Sequence, residues 1–486
     1  MKLILKSIFL FSFLLFVANI KGQTLKEIYA QEDTAALRQF LAKNDPNECL
    51  EGKTMLMKFV VGGKNSMVKY LLSYGVEVNA VCRKGRTALM YAALQNKVEM
   101  AQWLIDAGAD LTIKDEQGYT MMDLAAKLDR QEFRHTILNN NHRLFTGFDG
   151  PHFYYEEKIR LKQLLKNESG GIVTTSILLD EADLFEKNFF CQGKDGERLF
   201  EFSIAENFIE EKDKYKMPKQ LVAISDIEGN FSAFENLLKS NGVVDEQLNW
   251  RFGEGHLVLV GDFFDRGSKV TECLWLIYKL EQEAAAVGGK VHFIIGNHEN
   301  MNLEGDLRYV HLKYFANAIA FKKNYMSFFS ENTFLGKWLR TKNVAVQIGR
   351  LLFVHGGISP QFAIKNIRFS TLNEKARDYM GVPLDSMAND TIAAAIFDQF
   401  YGPLWYRGYF EEELKTELVA STLDYLGIRK VVVGHTPVEK IQTLHKGRIV
   451  AIDVPHKLGE KYQQALFIEK GKFYSVGLDG VKEKVE

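Results

Sequence analysis

Apolar positions follow four successive patterns along the chain, and each predicts a different kind of element. Residues 7–20 (SIFLFSFLLFVANI) form a nearly unbroken apolar run. Residues 24–140 place apolar pairs at a fixed long interval, as short stacked helices do. Residues 141–216 alternate charged pieces with short runs such as Ile172-Val173 and Ile177-Leu178-Leu179, and carry no motif. From Gln220 onward, β-rich runs of four or five residues each end in a cluster of polar residues. That last pattern predicts buried strands delivering functional groups at their carboxyl ends.

The first run is too short to span a bilayer as a helix, which takes ~20 residues. With Met1, Lys2 and Lys6 before it and Gly22-Gln23 after it, the segment reads as a secretory signal peptide over residues 1–22. Ile20 fits poorly at the third position before such a cut, and an uncleaved anchor is the competing reading. No cysteine follows the run to carry a lipid. The expectation is an exported protein, periplasmic or secreted, with no stable membrane span.

The interval in the second pattern is 33 residues. Gly52-Lys-Thr-Met-Leu-Met, Gly85-Arg-Thr-Ala-Leu-Met and Gly118-Tyr-Thr-Met-Met-Asp align without gaps, and Leu71-Leu72 recurs as Leu104-Ile105. A period of this length, built from two helices and a turn, resembles the ankyrin repeat. Thr54, Thr87 and Thr120 keep the threonine of its signature, where a hydroxyl caps the first helix. The signature's proline and histidine are replaced, by Met55 and Met57 in the first unit and by Ala88 and Met90 in the second. Asn79 and Asp110 fall in the connecting turns, residues 24–51 read as a diverged cap, and 118–140 as the last unit. The array either binds a protein partner or is a structural cap, and the sequence leaves both open.

Composition narrows the classes. Hydrophobic residues make up 46% of the 486 and charged residues 25%, so the chain folds rather than remaining disordered. A net charge of -1 offers no basic excess for nucleic acid. Eight prolines are too few for a long proline-rich spacer. The four cysteines, Cys49, Cys82, Cys191 and Cys273, form no C-x-x-C pair. Cys49 and Cys82 occupy equivalent places in adjacent repeats. At a helix diameter of ~10 Å they would lie beyond disulfide reach, so all four are expected to be unpaired.

Five strand ends carry the chemistry. Leu221-Val-Ala-Ile-Ser runs into Asp226-Ile-Glu228-Gly-Asn, and His256-Leu-Val-Leu-Val into Gly261-Asp262-Phe-Phe-Asp265-Arg266-Gly267. Val291-His-Phe-Ile-Ile leads to Gly296-Asn297-His298-Glu299, Leu351-Leu-Phe-Val to His355, and Val431-Val-Val to Gly434-His435. Carboxylates, an amide and imidazoles together make a mixed oxygen and nitrogen donor set suited to two divalent ions.

These motifs resemble the calcineurin-like metallophosphoesterases, and GDFFDRG with GNHE is similar to the phosphoprotein-phosphatase branch and its bacterial Shewanella-like members. The resemblance covers about residues 218–480 and implies a multidomain chain: an all-α ankyrin array over 24–140, an unclassified connection over 141–216, and an α/β metallophosphoesterase domain over 217–480, a β-sandwich flanked by helices. It implies that Asp226 and Asp262 bind a first metal and that Asp262 bridges to a second, completed by Asn297, His355 and His435. His298 would protonate the leaving oxygen, oriented by Asp265. Arg266 and Arg407 would hold phosphate, with Arg308 a third candidate. The ions would be manganese, with iron or zinc as alternatives, and a metal-activated hydroxide would attack phosphorus.

One position departs from the family pattern. Glu228 stands where the motif has histidine, so it is an oxygen ligand of the first metal, acts through a water, or marks a weakened site. The ligand reading is preferred, because carboxylates suit hard divalent ions. The implied function is hydrolysis of phosphomonoesters, as a protein Ser/Thr or Tyr phosphatase. Hydrolysis of nucleotides or dinucleoside polyphosphates is one alternative, and an ankyrin binding module with an inactive phosphatase domain is another. His256, His292 and the aromatic residues Phe328, Phe329 and Trp338 read as structural, the last three as a helical cap over the site.

Overall fold

The computed structural model describes residues 25–128, 130–167, 170–193 and 196–485, so the expected signal peptide lies outside the described residues. The chain divides into two compact units, one up to His142 and one from Arg143.

The first unit is built of helix pairs: α1 (Leu25–Gln31) with α2 (Thr34–Leu41), α3 (Met55–Gly62) with α4 (Asn65–Tyr74), α5 (Ala88–Leu94) with α6 (Val98–Asp106), and α7 (Met121–Lys127) with α8 (Gln131–Phe145). The threonines act as the repeat predicts. Thr54, Thr87 and Thr120 sit at the N-caps of α3, α5 and α7, and each hydroxyl accepts the backbone N–H three residues on at 3.3 Å. Leu37, Val60, Val68, Leu71, Ala92, Ala101 and Leu104 are fully buried between neighbouring pairs, so each pair completes its core with the next. Turn residues stitch the units together: Asn79 Oδ1 accepts the Asp110 N–H at 2.7 Å, and Asn47 does the same for Glu77 at 2.9 Å.

The cysteine expectation is corrected here. Cys49 and Cys82 form a disulfide, with Cα atoms 5.9 Å apart. Helix spacing was the wrong ruler, because both residues lie in turns, and the turns of successive repeats approach more closely than the helices. A Cβ on Gly52 would come within 2.7 Å of Arg83 Cβ, which measures that approach. Cys191 and Cys273 are free and buried, as expected.

The second unit holds seventeen strands among its described residues. Residues 149–203 form a three-stranded antiparallel sheet, β1 (Asp149–Tyr155), β2 (Ile159–Lys166) and β3 (Ile172–Leu179), and a hairpin of β4 (Asn188–Gln192) and β5 (Arg198–Ser203). Two six-stranded mixed sheets follow. One has the order β17-β16-β15-β7-β8-β9, the other β13-β14-β12-β11-β10-β6. In the first, β7 (Gln220–Ile224), β8 (His256–Val260) and β9 (Lys290–Ile294) run parallel, with β15 (Ala465–Glu469), β16 (Lys472–Val476) and β17 (Lys482–Lys484) antiparallel beyond them. In the second, β11 (Leu351–Val354), β12 (Lys430–Val433) and β14 (Ile449–Ala451) run parallel, with β6 (Lys214–Tyr215), β10 (Ala345–Ile348) and β13 (Gln442–Leu444) around them.

Both sheets contribute to one hydrophobic core, which also takes in Phe153, Leu161, Phe189 and Phe202 from the first strands. The connecting segment is thus part of this unit's core. Trp275, on α9 (Val270–Ala286), stacks on Phe202 and donates its indole N–H to the Pro151 carbonyl at 2.9 Å. The aromatic cap expectation is also corrected. Trp338 stacks on Phe293 of β9 at 5.6 Å, and Phe328 and Phe329 are fully buried, so these rings fill the core. His256 and His292 lie in β8 and β9, hydrogen-bonded to each other at 3.0 Å, away from the carboxyl ends.

Candidate active site

Six parallel strand ends, three from each sheet, bring the polar residues together. Asp226, Asp262 and Asn297 follow β7, β8 and β9, and His355, His435 and Asp453 follow β11, β12 and β14. Asp453 escaped the motif reading although its run, Ile449-Val-Ala-Ile-Asp, has the same form as the other five. Strand periodicity could have found it.

The turns that carry these groups are conformationally demanding. Asp226, Glu228, Asp262, Asp265, Arg266 and His435 all have φ between 51° and 70°. This left-handed region costs a non-glycine residue on the order of 1 kcal/mol or more and clusters at functional sites. Two glycines are required by proximity. A Cβ on Gly261 would lie 2.6 Å from His355 Nδ1, and one on Gly434 would lie 2.5 Å from Asp226 Oδ2.

Glu299, quoted in its motif without a role, holds the loops in place. Its buried carboxylate accepts N–H bonds from Asp262 (2.9 Å), Phe263 (2.7 Å), Phe264 (3.2 Å) and Gly296 (2.7 Å). Four backbone donors that lack partners in the turn are satisfied by one side chain. It is fixed in α10 (Asn297–Glu304), the helix that also bears His298. Burial, reinforced by the Asp262 charge, pushes Glu299 up to about 7.

Asp262, His355 and His435 each present a ligand atom, all within 4.8 Å of one another. The tautomers follow from the hydrogen bonds. His355 Nδ1 lies 2.7 Å from the Val260 carbonyl, which can only accept, so Nδ1 carries the proton. Its Nε2 then faces Asp262 Oδ2 at 3.1 Å and Asn297 Oδ1 at 3.0 Å. Likewise His435 Nε2 donates to the Trp405 carbonyl at 3.0 Å, leaving Nδ1 as the lone-pair nitrogen.

Lone pairs converging in this way demand a positive charge between them. Burial opposes the charge, yet Asp262 and Asp226 hold the His355 imidazolium up to about 10. Burial also opposes ionisation of Asp262, but His355 and His298 keep its carboxyl well below the usual range. Burial with His355 nearby drives His435 down to about 2, as a neutral ligand nitrogen requires. Burial, helped by Asp262, lifts Asp226 to about 6, and burial with Asp226 lifts Asp453 to about 9. Converging carboxylate oxygens and imidazole nitrogens suit a divalent cation. The donor set therefore fits a divalent ion.

His298 sits beside this cluster. Its Nδ1 donates to Asp265 Oδ2 at 2.5 Å, and its Nε2 lies 3.7 Å from Asp262 Oδ2. Asn302 Nδ2 donates to the other Asp265 oxygen at 2.8 Å, and the Tyr325 hydroxyl donates to Asn302 Oδ1 at 2.6 Å. Sequence reading found the pair and missed this extension, because an asparagine one helical turn after His298 carries no pattern of its own. Burial works against the imidazolium, but Asp262 and Asp265 outweigh it and the His298 pKa is raised.

The expected phosphate-binding residues divide. Arg407 reaches the site, donating to the His435 carbonyl at 2.8 Å. Arg266 borders it, with its guanidinium carbon 5.5 Å from the Tyr309 ring. Arg308 is exposed and paired with Asp306 at 2.6 Å, with its guanidinium carbon 5.6 Å from the same ring. Glu228, expected as a metal ligand, turns its carboxylate to Arg266 and to Lys457 (3.7 Å) and stands outside the three-residue donor group. His456 supports the site from behind, with Nε2 3.1 Å from the Ser225 carbonyl.

Comparison with known proteins agrees with this geometry. Residues 27–115 match ankyrin repeats in three copies, and residues 219–439 match the calcineurin-like phosphoesterases. An uncharacterised Schizosaccharomyces pombe protein is 31% identical over 49% of this chain and 74% of its own length. Shewanella-like protein phosphatase 1 of Plasmodium berghei is 28% identical over 56% of this chain and 78% of its own. Among solved structures, a cold-active protein-tyrosine phosphatase of a psychrophilic Shewanella superposes with a TM-score of 0.64 and 32% identity, covering 70% of this chain and 100% of that one.

Proposed function

The chain belongs to the calcineurin-like phosphoesterases, with ankyrin repeats preceding the catalytic domain, and on that premise we propose that it is an exported phosphatase of phosphorylated proteins. The observation that carries the reading is the hydrogen-bonded pair of His298 and Asp265 beside a donor cluster that demands a cation.

Asp262, Asn297, His355 and His435 would hold one divalent ion, and Asp226 with Asp262 a second. Manganese suits the oxygen-rich share of this set, and imidazole nitrogens admit iron or zinc. Such ions, when bound, supply Lewis acidity that neutralises phosphate charge and acidifies water. Arg266 and Arg407 hold and orient the phosphate oxygens, offering donors where negative charge accumulates. His298 delivers the proton on Nε2 to the leaving oxygen. Asp265 accepts from Nδ1–H, which stabilises the doubly protonated ring, so that its second proton stands on Nε2. Asn302 and Tyr325 restrict Asp265 to this one orientation.

A protein substrate is supported by the phosphatase names of two similar proteins and by a repeat array of the kind that binds proteins. Export is supported by the Cys49–Cys82 disulfide, since such bonds persist in oxidising compartments, and by the apolar run at residues 7–20. Among the described residues no helix is long and apolar enough to cross a membrane.

The test is hydrolysis of a generic aryl phosphate with added Mn²⁺ by the parent protein and by the Asp262→Asn and His298→Asn variants. Metal-dependent turnover lost in both variants supports the reading, and a parent without turnover overturns it. A panel of phosphopeptides against nucleotides then decides whether proteins or small molecules are hydrolysed.

A further inference from the structure

We propose that Tyr309 selects the leaving group, so that the site favours aryl over alkyl phosphate esters, phosphotyrosine over phosphoserine. The inference rests on the phosphatase reading above and adds a specificity-determining residue to it.

Tyr309 follows Arg308 in the loop between α10 and α11 (Leu312–Ala320). Its ring centroid lies 5.3 Å from that of His298, with the planes inclined by 56°. Tyr309 is 44% exposed, although His298 itself is buried. An aromatic surface open to solvent thus stands next to the group that protonates the leaving oxygen.

Proton delivery fixes where the substrate must lie. The leaving oxygen has to come within hydrogen-bond reach of His298 Nε2, about 3 Å. The carbon that bears this oxygen is then one bond further away, near a ring whose centroid lies 5.3 Å from that of the imidazole. When that carbon belongs to a phenyl ring, the ring can pair with Tyr309 at the centroid separations of 4.5–7 Å that aromatic pairs adopt. A phosphoserine methylene has no comparable surface to offer.

The platform is also rigidly coupled to phosphate binding. The Arg266 backbone N–H donates to the Tyr309 carbonyl at 2.9 Å. The Arg266 and Arg308 guanidinium carbons lie 5.5 Å and 5.6 Å from the ring centre. The residue that holds phosphate and the residue that meets the leaving group therefore keep a fixed separation, and that separation can discriminate between leaving groups.

The test compares phosphotyrosine and phosphoserine versions of one peptide, with kcat/KM measured for the parent and for Tyr309→Ala, Tyr309→Leu and Tyr309→Phe. The parent should prefer phosphotyrosine. The alanine and leucine variants should lower the phosphotyrosine-to-phosphoserine ratio by about two- to tenfold, the range that aromatic pairing supplies. The phenylalanine variant should keep the ratio. An unchanged ratio in Tyr309→Ala, or an equal fall on both peptides, would overturn the inference, because the ring would then serve only to support Arg266. A parent that hydrolyses neither peptide nor a generic aryl phosphate overturns the phosphatase reading itself, a result distinct from an unchanged ratio.

Discussion

His298 and Asp265 meet at 2.5 Å, Nδ1 to Oδ2, and both side chains are buried. A buried carboxylate in this position holds the Nδ1 proton and favours the charged imidazole, whose second proton is then on Nε2. Asp265→Asn should therefore lower kcat by about 10²-fold or more, within the range of general acid catalysis. The loss should be larger for alkyl phosphates, whose leaving oxygen needs the proton most, than for activated aryl phosphates. Tyr325→Phe, which removes one link behind Asp265, should lower kcat by only a few fold. Steady-state kinetics across a leaving-group series measures both effects.

Glu228 pairs with Arg266 and Lys457. Glu228→Gln should consequently raise KM several-fold through a less ordered Arg266 and leave the bound-metal stoichiometry as it was. Elemental analysis beside kinetics separates these outcomes. A lower metal content in the variant would return Glu228 to the metal.

The lone pairs of Asp262, Asn297 and His355 face one another. A divalent ion bound only by the folded state should therefore raise the melting temperature of the second unit, and a chelator should reverse the rise. A thermal-shift titration with Mn²⁺ should saturate for the parent and give little response for Asp262→Asn.

The Cys49–Cys82 bond closes a loop of 33 residues. By loop entropy its removal should cost the repeat unit about 3–4 kcal/mol. Cys82→Ser should melt earlier than the parent in the absence of reductant, and dithiothreitol should lower the parent towards the variant. Differential scanning calorimetry resolves the two units.

Far from the site, Glu211 lies buried within 4 Å of His292, Lys290 and Lys342. Burial alone would raise its pKa, but the neighbouring His292 ring and the charges of Lys342 and Lys290 take it down to about 2. A depressed carboxyl contributes stability that is complete above its unfolded pKa, about 4.5, and is lost as pH falls through its folded one. The second unit should therefore lose stability between about pH 4.5 and pH 2. Glu211→Gln should be less stable at neutral pH and should show a flatter acid limb in thermal melts recorded against pH.

Local chemistry was legible in the chain itself. The 33-residue period and its capping threonines specified stacked helix pairs, because each repeat meets only its neighbours. The β-runs ending in Asp226, Asp262, Asn297, His355 and His435 announced a shared site, because parallel strands present their carboxyl ends together. What needed the folded chain depends on distances that spacing does not encode. Cys49 and Cys82 bond because turns converge where helices stay apart. Residues 149–203, without a motif, belong to the second unit because their aromatic residues join its core, Phe153 and Phe202 against Trp275 and Phe200 against Phe231. Glu228 was expected at the metal by position, and its carboxylate meets Arg266 and Lys457, partners distant in sequence that position does not encode. The sequence by itself determined which groups could reach the site, through strand ends and motif order. Only the tertiary structure decided which partners those groups met there, because hydrogen-bond and ion-pair geometry is set by packing between segments far apart in the chain.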